Sequence, residues 1–176
     1  PDVVHLALSD ARPLKGRLEK LKVNKAGVEF YNDTMSVRPE STLAALRVLS
    51  SDAQGRSIIL ILGGAYTGAS YEELLTEIPR HVSAVVLLPG TGTFTERPSL
   101  EKMHSDDTTS TGWSSVKILH SKSVREAVNL AKEIAKKGDR VLFSPAFDIA
   151  GSFESREARG NEFVKAVRYT EEISRG

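Results

Sequence analysis

Residues 141–163 read VLFSPAFDIAGSFESREARGNEF, and they join a short apolar run to a long amphipathic helix through a loop of small and polar residues. The apolar run follows a charged turn, which is typical of a buried strand. Pro145 restricts Ser144 to an extended conformation, so the strand is expected to end at Ser144. Ser152 is the predicted start of the helix, and the mixed residues 146–151 are predicted to form the loop. A strand, a loop and a helix in this order are typical of an α/β fold.

The same alternation of strand and helix runs through the chain before this stretch. Apolar runs predict strands, and apolar residues at helical spacing predict helices: strands at 58–62, 84–88 and 116–119, and helices at 71–78 and 123–137. Residues 97–113 are polar and are predicted to form a loop with at most one helical turn. Earlier, residues 17–23 and 28–31 predict a β-hairpin, and Pro39 predicts the first turn of a helix. The pattern indicates an α/β domain with a mainly parallel sheet and an N-terminal hairpin.

The composition fits one domain, because 40% of the 176 residues are hydrophobic. The 24 Lys and Arg nearly balance the 23 Asp and Glu, so we expect no nucleic acid or membrane partner. The absence of cysteine excludes disulfides and thiolate metal sites. Without a long apolar segment or a signal peptide, a cytoplasmic protein is the simplest interpretation. Residues 1–11, which begin at Pro1, are expected to be a linker or the end of a preceding domain in a longer enzyme.

Candidate ligand-binding residues lie in the loops that follow the strands, because ligands of a parallel sheet bind outside the carboxyl ends of its strands. Four such loops are rich in small or polar residues: 32–38, 63–70, 89–95 and 144–152. Gly63 and Gly64 could let backbone amides approach a carboxylate or a phosphate, or they could form a tight strand exit. Neither of the common Gly-rich phosphate-binding patterns is present.

The sequence does not decide the roles of the single polar residues in these loops. Asp33 could hold ribose hydroxyls or a metal, or it could form an Asx turn. Thr67 could contact a ligand or be an ordinary loop hydroxyl. The histidines have no ligand spacing, so they are interpreted as structural and no metal site is predicted: His5, His81, His104 and His120. The residues alone predict an α/β domain with a small-molecule cleft, and they name no reaction.

Four short motifs occur in a fixed order along the chain. They are LKGRLE at 14–19, YNDT at 31–34 followed by PESTLAAL at 39–46, LGG at 62–64, and SPA at 144–146 with Phe153 and the pattern E-x-R-G-x-x-F at 157–163. In this order they resemble the C-terminal domain of the Mur ligase family, with Gly16 where the family has His. The resemblance covers about residues 12–170. It is strongest to the MurD type, which adds D-glutamate to UDP-N-acetylmuramoyl-L-alanine in peptidoglycan synthesis.

The resemblance implies a Rossmann-like, three-layer domain at residues 12–176, which binds the amino acid and closes on the central ATPase domain of the same chain. The family's chemistry uses ATP and Mg²⁺: a substrate carboxylate is phosphorylated, and the amino group of the amino acid attacks the acyl phosphate. The family's Gly-Lys-Thr/Ser loop and magnesium ligands lie in the central domain and are missing from this chain. The fragment is therefore expected to position substrates, to contain no catalytic residue and to be inactive alone.

The resemblance also implies roles for single residues. The expected nucleotide-binding residues are Arg17, Asn32 and Asp33, and the expected substrate-binding residues are Ser36, Arg38, Thr67, Ser144, Ile149 and Arg156. The departures from the family fall in the substrate loops, where Met35 and Thr67 replace Lys, Val37 replaces Thr, Ile149 replaces Ser and Arg156 replaces an aromatic residue. Arg38 or Arg156 could clamp a substrate carboxylate in place of the missing Lys, or both could be solvated charges at helix ends.

These departures leave three hypotheses. The leading one is the C-terminal domain of a D-glutamate-adding ligase. The second is a related ligase for a different amino acid. The third is a non-catalytic ligand-binding or interaction domain on the same scaffold.

Overall fold

In the part of the chain that the structure describes, six strands form one sheet in the order β1-β2-β6-β3-β4-β5. The strands are β1 (Glu19–Lys20), β2 (Glu29–Asn32), β3 (Ile58–Leu62), β4 (Val82–Leu87), β5 (Lys117–His120) and β6 (Arg140–Phe143). The β1–β2 pair is antiparallel, and every other pair is parallel. The predicted mainly parallel sheet and N-terminal hairpin are therefore confirmed. Of the strand expected at 17–23, residues 17–21 are described, and β1 covers only Glu19–Lys20 of them.

The computed structural model describes residues 14–21, 26–51, 58–105, 112–149 and 151–173. The expected linker at 1–11 and part of the expected hairpin turn at 24–27 lie outside these residues. Within them the helices are α1 (Pro39–Ser51), α2 (Glu72–His81), α3 (Thr91–Ser105), α4 (Val124–Ile134) and α5 (Arg156–Ile173), with one short 3₁₀ turn at Trp113–Ser115.

The core lies on both faces of the sheet, because alternate residues of a strand point to opposite faces. In β3, Ile58, Leu60 and Leu62 pack against α1 and α2 on one face. Ile59 and Ile61 pack against α4 and α5 on the other face. A central strand that is buried on both faces needs a continuous apolar run, as the sequence of β3 shows. The expected three-layer arrangement is confirmed.

Helix α3 corrects the prediction of a loop at 97–113 as far as residue 105, and it also contains residues 91–95 of the expected 89–95 loop. Residues 106–111 of the predicted loop lie outside the described part of the chain. Its sequence is polar and carries Pro98, so no apolar stripe marks it as a helix. Its start is held by contacts across the sheet edge. The Gly92 N–H donates to the Gly64 carbonyl at 2.9 Å, and the Gly64 N–H donates to Thr93 Oγ1 at 3.2 Å.

Two further helix boundaries differ from the sequence predictions. Helix α5 begins at Arg156 and not at Ser152, because Ser155 caps it: the Ala158 N–H donates to Ser155 Oγ at 3.0 Å. Helix α4 starts after Ser123 as predicted, but it ends at Ile134 and not at 137. Its end is set by extended backbone at Ala135, after which the chain turns into β6.

Candidate functional site

The Asp33 carboxylate connects three segments at the carboxyl edge of the sheet. It follows β2 and is 4% exposed. It accepts hydrogen bonds from the Leu18 N–H at 3.0 Å, from Ser36 Oγ at 2.6 Å and from Ser144 Oγ at 2.7 Å. Burial raises the pKa of Asp33, while these donors and the nearby Arg17 charge oppose that rise. The structure therefore brings Asp33 together with Ser36 and Ser144 and uses all three to tie the loops.

The other two expected nucleotide-binding residues lie beside Asp33. Asn32 donates from Nδ2 to Glu19 Oε2 at 3.1 Å, and its Oδ1 accepts from the Thr34 N–H at 3.3 Å. Asn32, and not Asp33, therefore forms an Asx turn in this loop. Arg17 is exposed in the turn before β1, where its N–H donates to the Leu14 carbonyl at 2.9 Å. Its guanidinium therefore lies at the surface, on the same side of the molecule as the Asp33 loop.

Gly63 and Gly64 form a tight strand exit, which is one of the two roles that the sequence allowed for them. Their amides already donate within the protein, Gly63 to the Pro145 carbonyl at 3.0 Å and Gly64 to Thr93 Oγ1 at 3.2 Å. Gly64 has φ +144°, and a Cβ there would clash with the backbone oxygen of Asp148. These amides are therefore not offered to a ligand. They hold the loop after β3 against the loop after β6.

Thr67 belongs to a layer of polar and aromatic contacts on the α1 and α2 face. Its hydroxyl lies 3.2 Å from the Tyr71 hydroxyl, which donates to the Ala146 carbonyl at 3.1 Å. The Tyr71 ring stacks on Phe147 with centroids 4.4 Å apart. A groove of about 490 Å³ lies over this layer and is lined in part by the half-exposed Tyr66.

The two candidate carboxylate-binding arginines lie in different surroundings. Arg156 binds the Asp148 carboxylate in a bidentate pair, at 2.9 Å from Nε and 2.7 Å from Nη2. This pair lowers the pKa of Asp148. The Ile149 N–H donates to the same carboxylate at 2.8 Å, so Ile149 is placed beside the pair. Arg38 is 64% exposed just before α1, 3.5 Å from Glu40. The guanidinium of Arg156 is thus occupied by a carboxylate of this chain, while that of Arg38 faces solvent.

Arg159 lies within the E-x-R-G-x-x-F motif and is a buried cation that spacing alone does not single out. It is 2% exposed, and its guanidinium donates to Thr34 Oγ1 at 3.2 Å, to the Thr34 carbonyl at 2.9 Å and to the Phe147 carbonyl at 3.1 Å. Burial lowers its pKa to about 10. The partial signal in the sequence is its spacing of four residues from Phe163, which places both on the inner face of α5. Arg159 therefore joins the loop after β2 to the loop after β6.

Neither metal binding nor membrane insertion is indicated by the described residues. Among them, no three His, Asp or Glu side chains come together as metal ligands would. None of the helices in the described ranges has both the length and the apolar composition that a membrane crossing requires.

Comparison with known proteins shows which family has this fold and these loops. The sequence model of the family described as "Mur ligase, glutamate ligase domain" matches residues 16–147, which is most of the chain and includes all the loops above except the end of the last. The chain belongs to the Mur ligase family.

Curated relatives of this Mur ligase domain are named UDP-N-acetylmuramoylalanine–D-glutamate ligase. Those of Coxiella burnetii (strain CbuK_Q154) and Caldanaerobacter subterraneus subsp. tengcongensis are 32% and 28% identical over 166 residues, which is 94% of the chain and 34% of each relative. That of Acetivibrio thermocellus is 32% identical over 172 residues, 97% of the chain and 34% of the relative. The Mur ligase domain thus spans about one third of the length of these relatives.

Solved structures agree with the fold. The MurF ligase of Thermotoga maritima in complex with ADP superposes with a TM-score of 0.59 at 16% identity, over 96% of this chain and 34% of that one. The folylpolyglutamate synthase of Mycobacterium tuberculosis complexed with ADP and AMPPCP gives a TM-score of 0.56 at 15% identity, over 97% and 35%. At these identities the likeness concerns the Rossmann-like architecture alone.

Proposed function

We propose that residues 12–176 are the amino-acid-binding C-terminal domain, preceded by a linker at 1–11, of a cytoplasmic ATP-dependent ligase that adds D-glutamate to UDP-N-acetylmuramoyl-L-alanine in peptidoglycan biosynthesis. The proposal is carried by one observation. The loops that hold the family motifs are joined into a single edge by Asp33 and Arg159, through contacts to Ser144 and to the Thr34 and Phe147 carbonyls. A domain that closes on a nucleotide-binding partner needs such a preorganised edge.

In this proposal the nucleotide lies between this edge and the central ATPase domain of the same chain, which binds Mg²⁺ and supplies the phosphate loop. Arg17 stabilises phosphate charge, since it is exposed beside the Asp33 loop. Asn32 and Asp33 shape the nucleotide contact mainly through backbone placement, because their side chains already have partners within the domain. The isolated domain is expected to be catalytically silent.

The amino acid lies among the substrate loops in this proposal. Thr67, Ile149 and Arg156 line its surroundings, and Ser36 and Ser144 hold the loops through Asp33. Arg38 provides a cation that is open to solvent and is suited to a carboxylate.

A related ligase for a different amino acid is the second candidate, and one observation favours it. Arg156 occupies a position where the sequence predicted substrate contact, yet its guanidinium is paired with Asp148. A substrate carboxylate would have to displace that pair or use Arg38 alone. The third candidate is a non-catalytic ligand-binding or interaction domain, which has the same fold but catalyses no reaction.

Phosphate release by the full-length protein that contains this chain separates the candidates. The assay uses ATP and UDP-N-acetylmuramoyl-L-alanine with a panel of D- and L-amino acids. Release with D-glutamate alone supports the proposal, release with another amino acid supports the second candidate, and no release with any of them supports the third.

A matched pair of variants tests the role of Arg38 in the same assay. Arg38→Gln is expected to raise KM for the amino acid roughly tenfold, since one charged hydrogen bond is lost. Arg47→Gln removes a similarly exposed cation farther along α1 and is expected to leave KM unchanged. Equal KM values for the two variants would remove Arg38 from the substrate site.

A further inference from the structure

A cavity of about 420 Å³ lies on the α4 and α5 face of the sheet, at the carboxyl ends of β3 and β4. Its walls come from the loops at Gly64 and Pro89, from the start of α4 at Lys122 and Arg125, and from α5 at Arg159. Neither Thr67 nor Arg156 lines it. Gly64 and Pro89 belong to the candidate loops, but none of the expected nucleotide-binding or substrate-binding side chains lines the cavity.

Among the described residues that line this cavity, cations outnumber carboxylates. Three cations line it, Lys122, Arg125 and Arg159, against one carboxylate, Glu162. Glu162 lies 3.9 Å from Arg125 Nη2, the long end of ion-pair range. An excess of cations around a semi-enclosed cavity raises the local concentration of anions.

Arg159 is the buried member of this set, and the described residues place no carboxylate within ion-pair distance of it. All three of its hydrogen-bond acceptors are neutral: Thr34 Oγ1 and the carbonyls of Thr34 and Phe147. The nearby Asp148 carboxylate is already bonded to Arg156. A guanidinium has five N–H donors, so two remain. A buried cation that is only partly compensated is costly, and its lowered pKa reflects that cost.

The rest of the lining is apolar. Val124 and Leu88 are buried, and Phe153 is partly buried against the same core. The start of α4 is already capped, because Ser123 Oγ accepts from the Glu126 N–H and the Glu126 carboxylate accepts from the Lys122 N–H. The anion preference therefore comes from the side-chain cations, and the apolar walls favour a ligand with an apolar body.

We propose that this cavity is a second ligand site, which binds a small organic anion: a carboxylate or phosphate group on an apolar body. The charged group lies against Lys122, Arg125 and Arg159, and the apolar body lies against Val124 and Phe153. The proposal concerns binding alone and does not depend on ligase activity.

Calorimetric titration of the 176-residue chain tests this proposal with four probes: benzoate, phenyl phosphate, inorganic phosphate and benzamide. Benzamide has the shape of benzoate without its charge. We expect saturable binding of benzoate or phenyl phosphate, with benzamide and inorganic phosphate at least tenfold weaker. The stronger of the two aromatic anions identifies the preferred acid group. No saturable binding of either, or equal binding of benzoate and benzamide, would overturn the proposal.

Charge variants on the rim give the second arm of the test. Lys122→Gln and Arg125→Gln are each expected to weaken binding about threefold or more, and Glu162→Gln to strengthen it by a similar factor. Arg47→Gln on the opposite face and Glu133→Gln at the far end of α4 are the matched controls, with no change expected. Unchanged affinity in the Lys122 and Arg125 variants would place the probe elsewhere and refute the site.

Discussion

Replacing Arg159 by Met measures how strongly the buried guanidinium holds the two motif loops together. The variant loses the hydrogen bonds to Thr34 Oγ1, the Thr34 carbonyl and the Phe147 carbonyl. A hydrogen bond from a charged donor contributes ~1.5–3 kcal/mol, and a buried acceptor left unpaired costs ~1–3 kcal/mol. Relief of the buried charge offsets part of this loss. We expect the free energy of unfolding to fall by about 3 kcal/mol.

Urea unfolding followed by tryptophan fluorescence is the assay. Trp113 is the only Trp, is fully buried, and donates from its indole N–H to the Leu75 carbonyl at 2.9 Å, so its signal reports the native core. Arg156→Met is the control on the same helix, and its half-exposed pair with Asp148 should contribute only ~0.5 kcal/mol.

Arg159→Lys keeps the charge without the planar set of donors. It is expected to lose about 2 kcal/mol of stability, because one ammonium cannot reach all three acceptors. A loss below about 1 kcal/mol in Arg159→Met, or a loss equal to that of Arg156→Met, would refute the view that Arg159 joins the loops.

The remaining predictions concern the same edge of the sheet. Gly64→Ala should lower stability by about 3 kcal/mol or more, because a Cβ at φ +144° meets the Asp148 carbonyl, whereas Gly68→Ala at φ +77° meets open space and should cost about 1 kcal/mol. If Gly64→Ala and Gly68→Ala lowered the free energy of unfolding in urea equally, the role assigned to the Asp148 contact would be wrong. Arg156 lowers the pKa of Asp148, so that group stabilises the fold above its unfolded value near 3.8, and this contribution is lost as pH falls through its folded pKa. Below about pH 4 the unaltered chain should therefore lose more stability than Asp148→Asn does. The difference should be under ~1 kcal/mol, because the pair is half exposed. Parallel profiles of unfolding free energy against pH for the two proteins would contradict this prediction.

Elements defined by neighbours in the chain were predictable from the sequence. The strand at Ile58–Leu62 agrees with its prediction, because a strand buried on both faces must be apolar throughout. Ser123 starts α4 as predicted, because a cap is formed within one helical turn. The motif loops also lie at the expected edge, since parallel strands bring their carboxyl ends together.

Contacts between distant parts of the chain were decided by tertiary structure. Helix α3 has no apolar stripe of its own, and it begins where Gly92 and Thr93 meet the Gly64 backbone. Arg156 was a candidate for a substrate carboxylate, and only the folded loop shows that Asp148 lies in front of it. A side chain's partner depends on which segments meet in space, and spacing along the chain does not carry that information.

The sequence by itself determined the α/β class, the order of most strands and helices, and membership in a ligase family, because these follow from local hydrophobic periodicity and from short motifs in order. Tertiary structure alone decided that Asp33 and Arg159 bind the loops to each other, and that three cations share one cavity. Those arrangements join residues as far apart as Thr34 and Arg159, which only the closure of the sheet and the packing of α5 bring within hydrogen-bond distance.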